Sequence, residues 1–406
     1  MKVSDYRDIV GESHTAQLYR MAEPLRGKRL VMVNSTSAGG GVAEILHRLV
    51  PLLNDLGINT RWEVIKGDET FFNVTKTFHN TLQGNDEPLT DEMFEVYKET
   101  NRRNAAEINL DADFVVIHDP QPAALIDARA NGNSKWIWRC HIDVSHPNSR
   151  VWQFLRGYVE RYDASIFSMS SFAQDLPHPQ VLINPSIDPL SEKNRELTEG
   201  EIEEVFRQYG IPRDKPILLQ VSRFDRFKDP IGVIRAYQLV KKHQDCRLVL
   251  AGGAATDDPE GAIVLAEVQQ AAADDPDIHV LLLPPFSDKA INALQRGADI
   301  VFQKSLREGF GLTVSEALWK GKPVIGGAAG GITLQVIDGH TGYLVHSVEG
   351  AAYRARYLLR RPELSKQMGA IGREYVRRNF LSTRNVRDYL ALLLRLPYPG
   401  QYVIQI

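Results

Sequence analysis

Two glutamates, Glu308 and Glu316, stand eight positions apart in LREGFGLTVSEALWKGKPVIG, with Gly309 and Gly311 between them. They follow a strand-like apolar run, ADIVFQKS, and open a helical pattern in which Leu312, Ala317 and Leu318 share a face and Gly321 marks the end. Glycine at such a turn lets the backbone approach a ligand closely, and the free N–H groups of the helix start favour an anion. Glu308 reads either as a ligand-binding carboxylate or as a simple cap, worth up to about 1 kcal/mol. Glu316 lies within the apolar helix itself. An ionised carboxylate there is costly unless it meets hydroxyls or a cation, and a sugar diol is a suitable partner.

Two cations stand five positions apart in VSRFDRFKDP, Arg223 and Lys228, where the pattern breaks from apolar to charged. They form either a solvated basic loop or a clamp for a diphosphate, each charge-assisted bond contributing roughly 1.5–3 kcal/mol. A second glycine run, Gly39, Gly40 and Gly41, separates the strand-like RLVMVNST from a helical pattern carrying Val42, Ile45, Leu46, Leu49, Leu53 and Leu56. Gly57 is the expected stop of that helix and Pro51 predicts a kink in it. The glycines read either as a tight turn or as an anion cradle, and GGG matches neither common phosphate-loop pattern.

The elements that must position these groups follow from the apolar pattern. RLVMVNST, TRWEVI, DFVVIHDP, KWIWRCHID, ASIFSM and QVLINPSID alternate with amphipathic stretches, and the series starts again with PILLQVSRF, CRLVLAGG, IHVLLLPP, ADIVFQKS, KPVIGGAAGG and TGYLV. Continuous apolar strands between helices imply parallel sheets covered on both faces. At 406 residues the chain exceeds the usual size of one core, so two α/β domains of roughly 200 residues are expected. The polar stretch at 186–214 suits an interdomain passage, and a last helix from about Thr383 to Leu396 is left free to pack back on the first domain. A formal charge of -3 gives no electrostatic case for nucleic acid or an anionic membrane. No run reaches the ~18 apolar residues of a membrane span. The charged start lacks a secretory apolar core, which makes a cytoplasmic location the default. Cys140 and Cys246 are expected as buried reduced thiols.

In this order, the glycine loop, Arg223 with Lys228, and the E-x7-E pair resemble the motif set of retaining GT-B glycosyltransferases of family 4, over nearly the whole chain. VNSTSAGGGVAEILH, FFNVTKTFHN, HDPQPAAL, WRCHID, PSIDPLSEKN and REGFGLTVSEALWKGKPVIG resemble its trehalose synthase branch, and the longer fungal-type trehalose phosphorylases share many of them. The resemblance implies two doubly wound Rossmann-like domains facing a central cleft, 1–190 on the acceptor side and 191–382 for the nucleotide sugar. Glu316 would bind the donor ribose and Glu308 the transferred glucose. Arg223 and Lys228 would hold the diphosphate, with Gly309, Gly311, Leu312 and Thr313 in the donor loop and Gly40 and Gly41 approaching from the first domain. His141, at a strand end where a lone histidine is otherwise a core residue, would lie near the reaction centre. Asp229 departs from the pattern by standing where the family commonly has glycine.

The implied substrates are a nucleoside-diphosphate glucose, glucose and trehalose, with no required cofactor, metal at most stimulatory, and a homodimer left open. Retention by front-face attack lets the leaving phosphate take the acceptor proton, so Glu308 positions rather than forming a covalent adduct. Acceptor contacts are expected from Asp119 and Gln121 in HDPQP, together with His141, and from Lys76, His79 and Asn80. Alternatively, Asp119 and Pro120 only start a helix. Asp111 and Asp113 mimic a DxD metal motif, but they precede a strand and read as a solvated turn. Rival readings are a nucleotide-sugar epimerase and a non-catalytic sugar-nucleotide binder.

Overall fold

The computed structural model describes residues 1–37, 40–130, 132–253 and 259–398, with side chains of 259 and 260 left aside. Gly39, the first glycine of the early run, lies outside the described residues. The chain forms two compact units. One comprises Met1–Ser186 with the chain from Ser382 onward, and the other Ile187–Leu381.

In the first unit, β1 (Arg29–Asn34), β2 (Asn59–Val64), β3 (Phe114–His118), β4 (Lys135–Arg139), β5 (Ala164–Phe167) and β6 (Gln180–Leu182) form a parallel sheet in the order β2-β1-β3-β4-β5-β6. Every residue of β3 and β5 is buried, as expected of strands covered on both faces. The period of two divides β3 between two cores. Val115 and Ile117 pack with Phe71, Phe78, Tyr97, Trp136 and Trp138. Phe114 and Val116 face Leu46, Leu49 and Leu53. The helix Gly40–Asp55 runs through Pro51, and Gly57 (φ 87°) makes the turn after it.

The second unit contains β7 (Ile217–Val221), β8 (Arg247–Gly253), β9 (Ile278–Leu283), β10 (Ile300–Gln303), β11 (Val324–Gly327) and β12 (Gly342–Val345), in the order β12-β11-β10-β7-β8-β9. In both sheets the order reverses at one point, between β1 and β3 in the first and between β7 and β10 in the second. Ligands of open parallel sheets bind beyond the carboxyl ends of the strands at such points. Among the described residues no helix is long and apolar enough to cross a membrane.

The first crossing falls earlier than the expected 190/191 boundary. Ile187 N–H donates to Phe380 O (2.8 Å) and Ile187 bridges Leu381, which ties the chain to the second unit from that residue on. The last helix, Ser382–Arg395, packs on the first unit, with Val386, Tyr389, Leu390 and Leu393 in its core. Arg384 at its start donates to Asn184 O (2.8 Å) and Pro185 O (3.1 Å) and pairs with Asp388 (2.6 Å). Asn385 Nδ2 also donates to Asn184 O (3.0 Å). Arg384→Ala takes the donor from Pro185 O, one of two donors from Asn184 O and the cation from Asp388, so we expect a loss of about 2–4 kcal/mol in denaturant unfolding of this unit. A loss below about 0.5 kcal/mol, the range of a neutral surface change, would show that the clamp is idle.

Candidate active site

In the second unit, β7 and β10 bring the two predicted clusters together. Lys228 Nζ meets Glu308 Oε2 at 2.7 Å, and the same oxygen accepts from Ser305 Oγ (3.1 Å) and, more weakly, from Gln303 Nε2 (3.4 Å). Gln303 Oε1 in turn accepts from Thr313 Oγ1 (3.1 Å), linking the pair to the first turn of the helix Leu312–Trp319. Arg223 and Lys228 share Asp225. Its Oδ2 lies 3.2 Å from Arg223 Nη2 and its Oδ1 accepts the Lys228 backbone N–H at 3.1 Å. The Arg223 side chain is 65% exposed, so most of its fork remains open to solvent.

Glu308 does not cap the helix as the simpler reading allowed. Gly311 is the cap residue, at φ 82°, and no side chain bonds to the cap. A Cβ on Gly311 would also sit 3.1 Å from Glu308 Cγ. The loop is braced from behind by a segment whose role the sequence reading missed. Gly330, at φ 45°, packs so closely that a Cβ would lie 1.6 Å from Glu308 O. Gln335 Nε2 donates to Phe310 O (2.5 Å) and Gly331 O (3.1 Å), while its Oε1 accepts from Ser315 Oγ (2.5 Å). The signal was present in the repeated glycines of VIGGAAGG, read only as a strand end.

Glu316 is buried at 2% exposure, and a cation does approach it. Lys193 Nζ lies 3.9 Å from Oε1 and 3.8 Å from Asp288. Lys193 was missed because it sits far earlier in the chain, in the passage after β6. Gly309 is half-buried on the loop before this helix, and Leu312, the helix's first residue, is half-buried as well.

In the first unit, the carboxyl ends of β3 and β4 place His118 beside Arg139 in register. His118 and His141 stack with ring centroids 5.3 Å apart, and His118 Nδ1 lies 3.0 Å from His141 Nε2. Such a contact needs one ring nitrogen to donate and the other to accept. Burial, with Arg139 adding to it, pushes His118 down to about 3 and His141 well below the usual imidazole value. The histidines are therefore neutral at pH 7, and His141 is a hydrogen-bonding group rather than a cation. His118 was not singled out by sequence, since a buried strand-end histidine carries no spacing signal.

Asp119 adopts φ 68° and holds this corner together. Its Oδ1 accepts the His141 N–H (2.7 Å), its carbonyl accepts from Trp138 Nε1 (3.0 Å) and its N–H donates to Arg139 O (2.7 Å). It does not start a helix as the alternative reading had it: the following turn, Ala123–Ala128, begins after Pro122. Burial raises its carboxyl to about 7 against the pull of the His141 N–H and Arg139. Gln121 is half-buried, its carbonyl taken by Asn101 Nδ2 (3.0 Å).

Gly40 and Gly41 are exposed at the start of their helix, Gly40 at φ 77°. Lys76 is exposed on the helix Glu69–Leu82, which also carries His79 and Asn80, and Asn80 donates to Glu87 (2.7 Å). Asp111 and Asp113 bond to Arg29 and Lys28 at the amino ends of β1 and β3. Cys140 and Cys246 are buried and unbridged.

Comparison with known proteins supplies a family for this geometry. Residues 32–174 match "Trehalose synthase, N-terminal domain" and residues 201–375 match "Glycosyl transferases group 1". A trehalose synthase of Pyrococcus horikoshii is 50% identical over 398 residues, spanning 97% of this chain and 96% of that protein. The chain belongs to the trehalose synthase family. It is thus a glycosyltransferase, and a trehalose-related one. A trehalose phosphorylase of Grifola frondosa is more distant, 30% identical over 401 residues that span 86% of this chain and 54% of that protein. The UDP-forming α,α-trehalose-phosphate synthase of Burkholderia xenovorans, solved in complex with glucose-6-phosphate, matches with a TM-score of 0.72 at 13% identity, over 90% of this chain and all of that one (100%), and shows the GT-B fold.

For this member of the trehalose synthase family, the His118 environment gives a pH test. Its folded pKa lies below the unfolded value near 6.5, so the unfolded chain binds the extra proton and stability falls as pH drops from about 6.5 towards 3. The slope from this group alone reaches about 1.4 kcal/mol per pH unit. Asp119 contributes with opposite sign, losing stability as pH rises between about 4 and 7. His118→Asn keeps a group at the Nδ1 position but cannot titrate. Denaturant unfolding at pH 5 and pH 7 should show a smaller acid loss in this variant, and an unchanged loss would mean that His118 titrates normally.

Proposed function

We propose that this glycosyltransferase moves glucose from a nucleoside-diphosphate glucose, with ADP or UDP as the leaving group, to free glucose, giving α,α-trehalose with retention and in a reversible reaction. The observation that carries the reading is the Lys228–Glu308 pair at the sheet reversal of the second unit, beside the exposed fork of Arg223. Breaking the anomeric bond releases a diphosphate with growing negative charge, and fixed cations stabilise that charge without reorganising. Arg223 and Lys228 take this role and hold the diphosphate in the resting complex as well. Glu308, neutralised by Lys228 before substrate arrives, orients the hydroxyls of the transferred glucose. Glu316 holds the ribose diol, its charge balanced by Lys193.

The reading assigns the nucleotide sugar to the second unit and the acceptor to the loops after β3 and β4 in the first. His141, kept neutral, supplies a hydrogen bond to a sugar hydroxyl rather than a charge. Such an imidazole is a poor proton acceptor, which suits attack in which the departing phosphate oxygen takes the acceptor proton. No divalent ion has a role in this scheme, because the two side-chain cations meet the diphosphate directly.

The decisive experiment offers ADP-glucose, UDP-glucose or glucose 1-phosphate, each with glucose, and reads the product by NMR. We expect nucleoside diphosphate to appear only when glucose is present, together with α,α-trehalose. Turnover of glucose 1-phosphate with phosphate release would move the assignment to a phosphorylase, and a β linkage would overturn retention. Lys228→Ala should lower kcat/KM for the donor by about 100-fold or more while the protein stays folded, as loss of a charge-stabilising contact predicts.

A further inference from the structure

Lys228 sits on a short turn, Arg226–Lys228, whose geometry is fixed on both sides. Its N–H donates to Asp225 Oδ1 (3.1 Å), and its carbonyl accepts from Gln220 Nε2 (2.8 Å) at the end of β7. The next residue, Asp229, adopts φ 49° and ψ 51°. This left-handed conformation is one that glycine takes freely and that a residue with a Cβ takes at a cost. Asp229 carries a Cβ in this conformation, so something in the chain must hold it there.

Two contacts do so. Asp229 Oδ1 accepts the Gly232 N–H (3.0 Å), capping the helix Pro230–Lys241, and its Oδ2 pairs with Lys304 Nζ. Gly232 leaves room for the carboxylate: a Cβ there would lie 2.1 Å from Asp229 Oδ2. Lys304 is buried at the carboxyl end of β10, one residue beyond Gln303, which itself contacts Glu308. The ammonium is thus spent on a carboxylate of the loop and ties the β7 loop to the strand that presents Glu308.

We infer that Lys304 is a positioning residue: through Asp229 it locks the left-handed turn that sets Lys228 against Glu308. The role rests on the proposed diphosphate contact of Lys228. It predicts that the need for Lys304 disappears when glycine, which adopts this conformation freely, is placed at 229.

The test is a double-mutant cycle with Lys304→Met, Asp229→Gly and the double variant, with Lys304→Arg as the conservative control. Binding of ADP and UDP is read by calorimetry, donor and acceptor KM by kinetics, and integrity by thermal unfolding. In the Asp229 background, Lys304→Met should weaken nucleoside-diphosphate binding and raise the donor KM by about tenfold, with acceptor KM little changed. Lys304→Arg should recover part of the loss. Within the Asp229→Gly background, Lys304→Met should change the same quantities by less than about threefold. Equal losses in both backgrounds, or a loss confined to thermal stability, overturn the role of Lys304. Wild-type protein that binds neither ADP nor UDP overturns the diphosphate reading of the loop, and with it this role.

Discussion

The contact on which the second unit's site depends is the ion pair between Lys228 and Glu308. The two residues reach each other only because β7 and β10 are neighbours at the point where the strand order reverses. A largely buried pair of this kind is poor evidence for stability, since desolvation offsets much of the attraction. Its value is geometric. It keeps a cation and a carboxylate within hydrogen-bond distance, 2.7 Å apart, each neutralising the other.

The surrounding structure keeps that pair in place. From behind, Gly330 and Gln335 fix the backbone of the Glu308 loop by direct main-chain packing and by hydrogen bonds to Phe310 and Gly331. From the side, Asp225 joins the Lys228 backbone to Arg223, and Lys304 holds Asp229. The first unit follows a different logic. There a neutral histidine pair, a buried arginine and a strained aspartate fill the corner at the ends of β3 and β4. Removing water lowers the histidine pKa values and raises that of Asp119, so burial leaves the two histidines neutral beside Arg139.

All twelve expected strands among the described residues could be read from the chain, because short apolar runs alternating with amphipathic stretches suit the interior strands of parallel sheets. Arg223, Lys228, Glu308 and Glu316 could be picked out by residue type and glycine context alone. Their neighbours could not. Lys193 approaches Glu316, Lys304 meets Asp229, and Gln335 holds the Glu308 loop through contacts between segments distant in sequence. Asp119 shows the same limit. Its sequence context fits a helix cap, yet the fold turns its carboxylate back onto His141.

By itself, then, the sequence determined the two-unit α/β architecture, the loops that follow the strands and the residue types placed there, since each depends on local pattern. Tertiary structure alone decided where the last helix packs, which carboxylate pairs with which cation, and that His141 has a neutral partner in His118. Those outcomes depend on strand order and burial. Neither is written in any short window of residues, because both arise only when the sheets assemble.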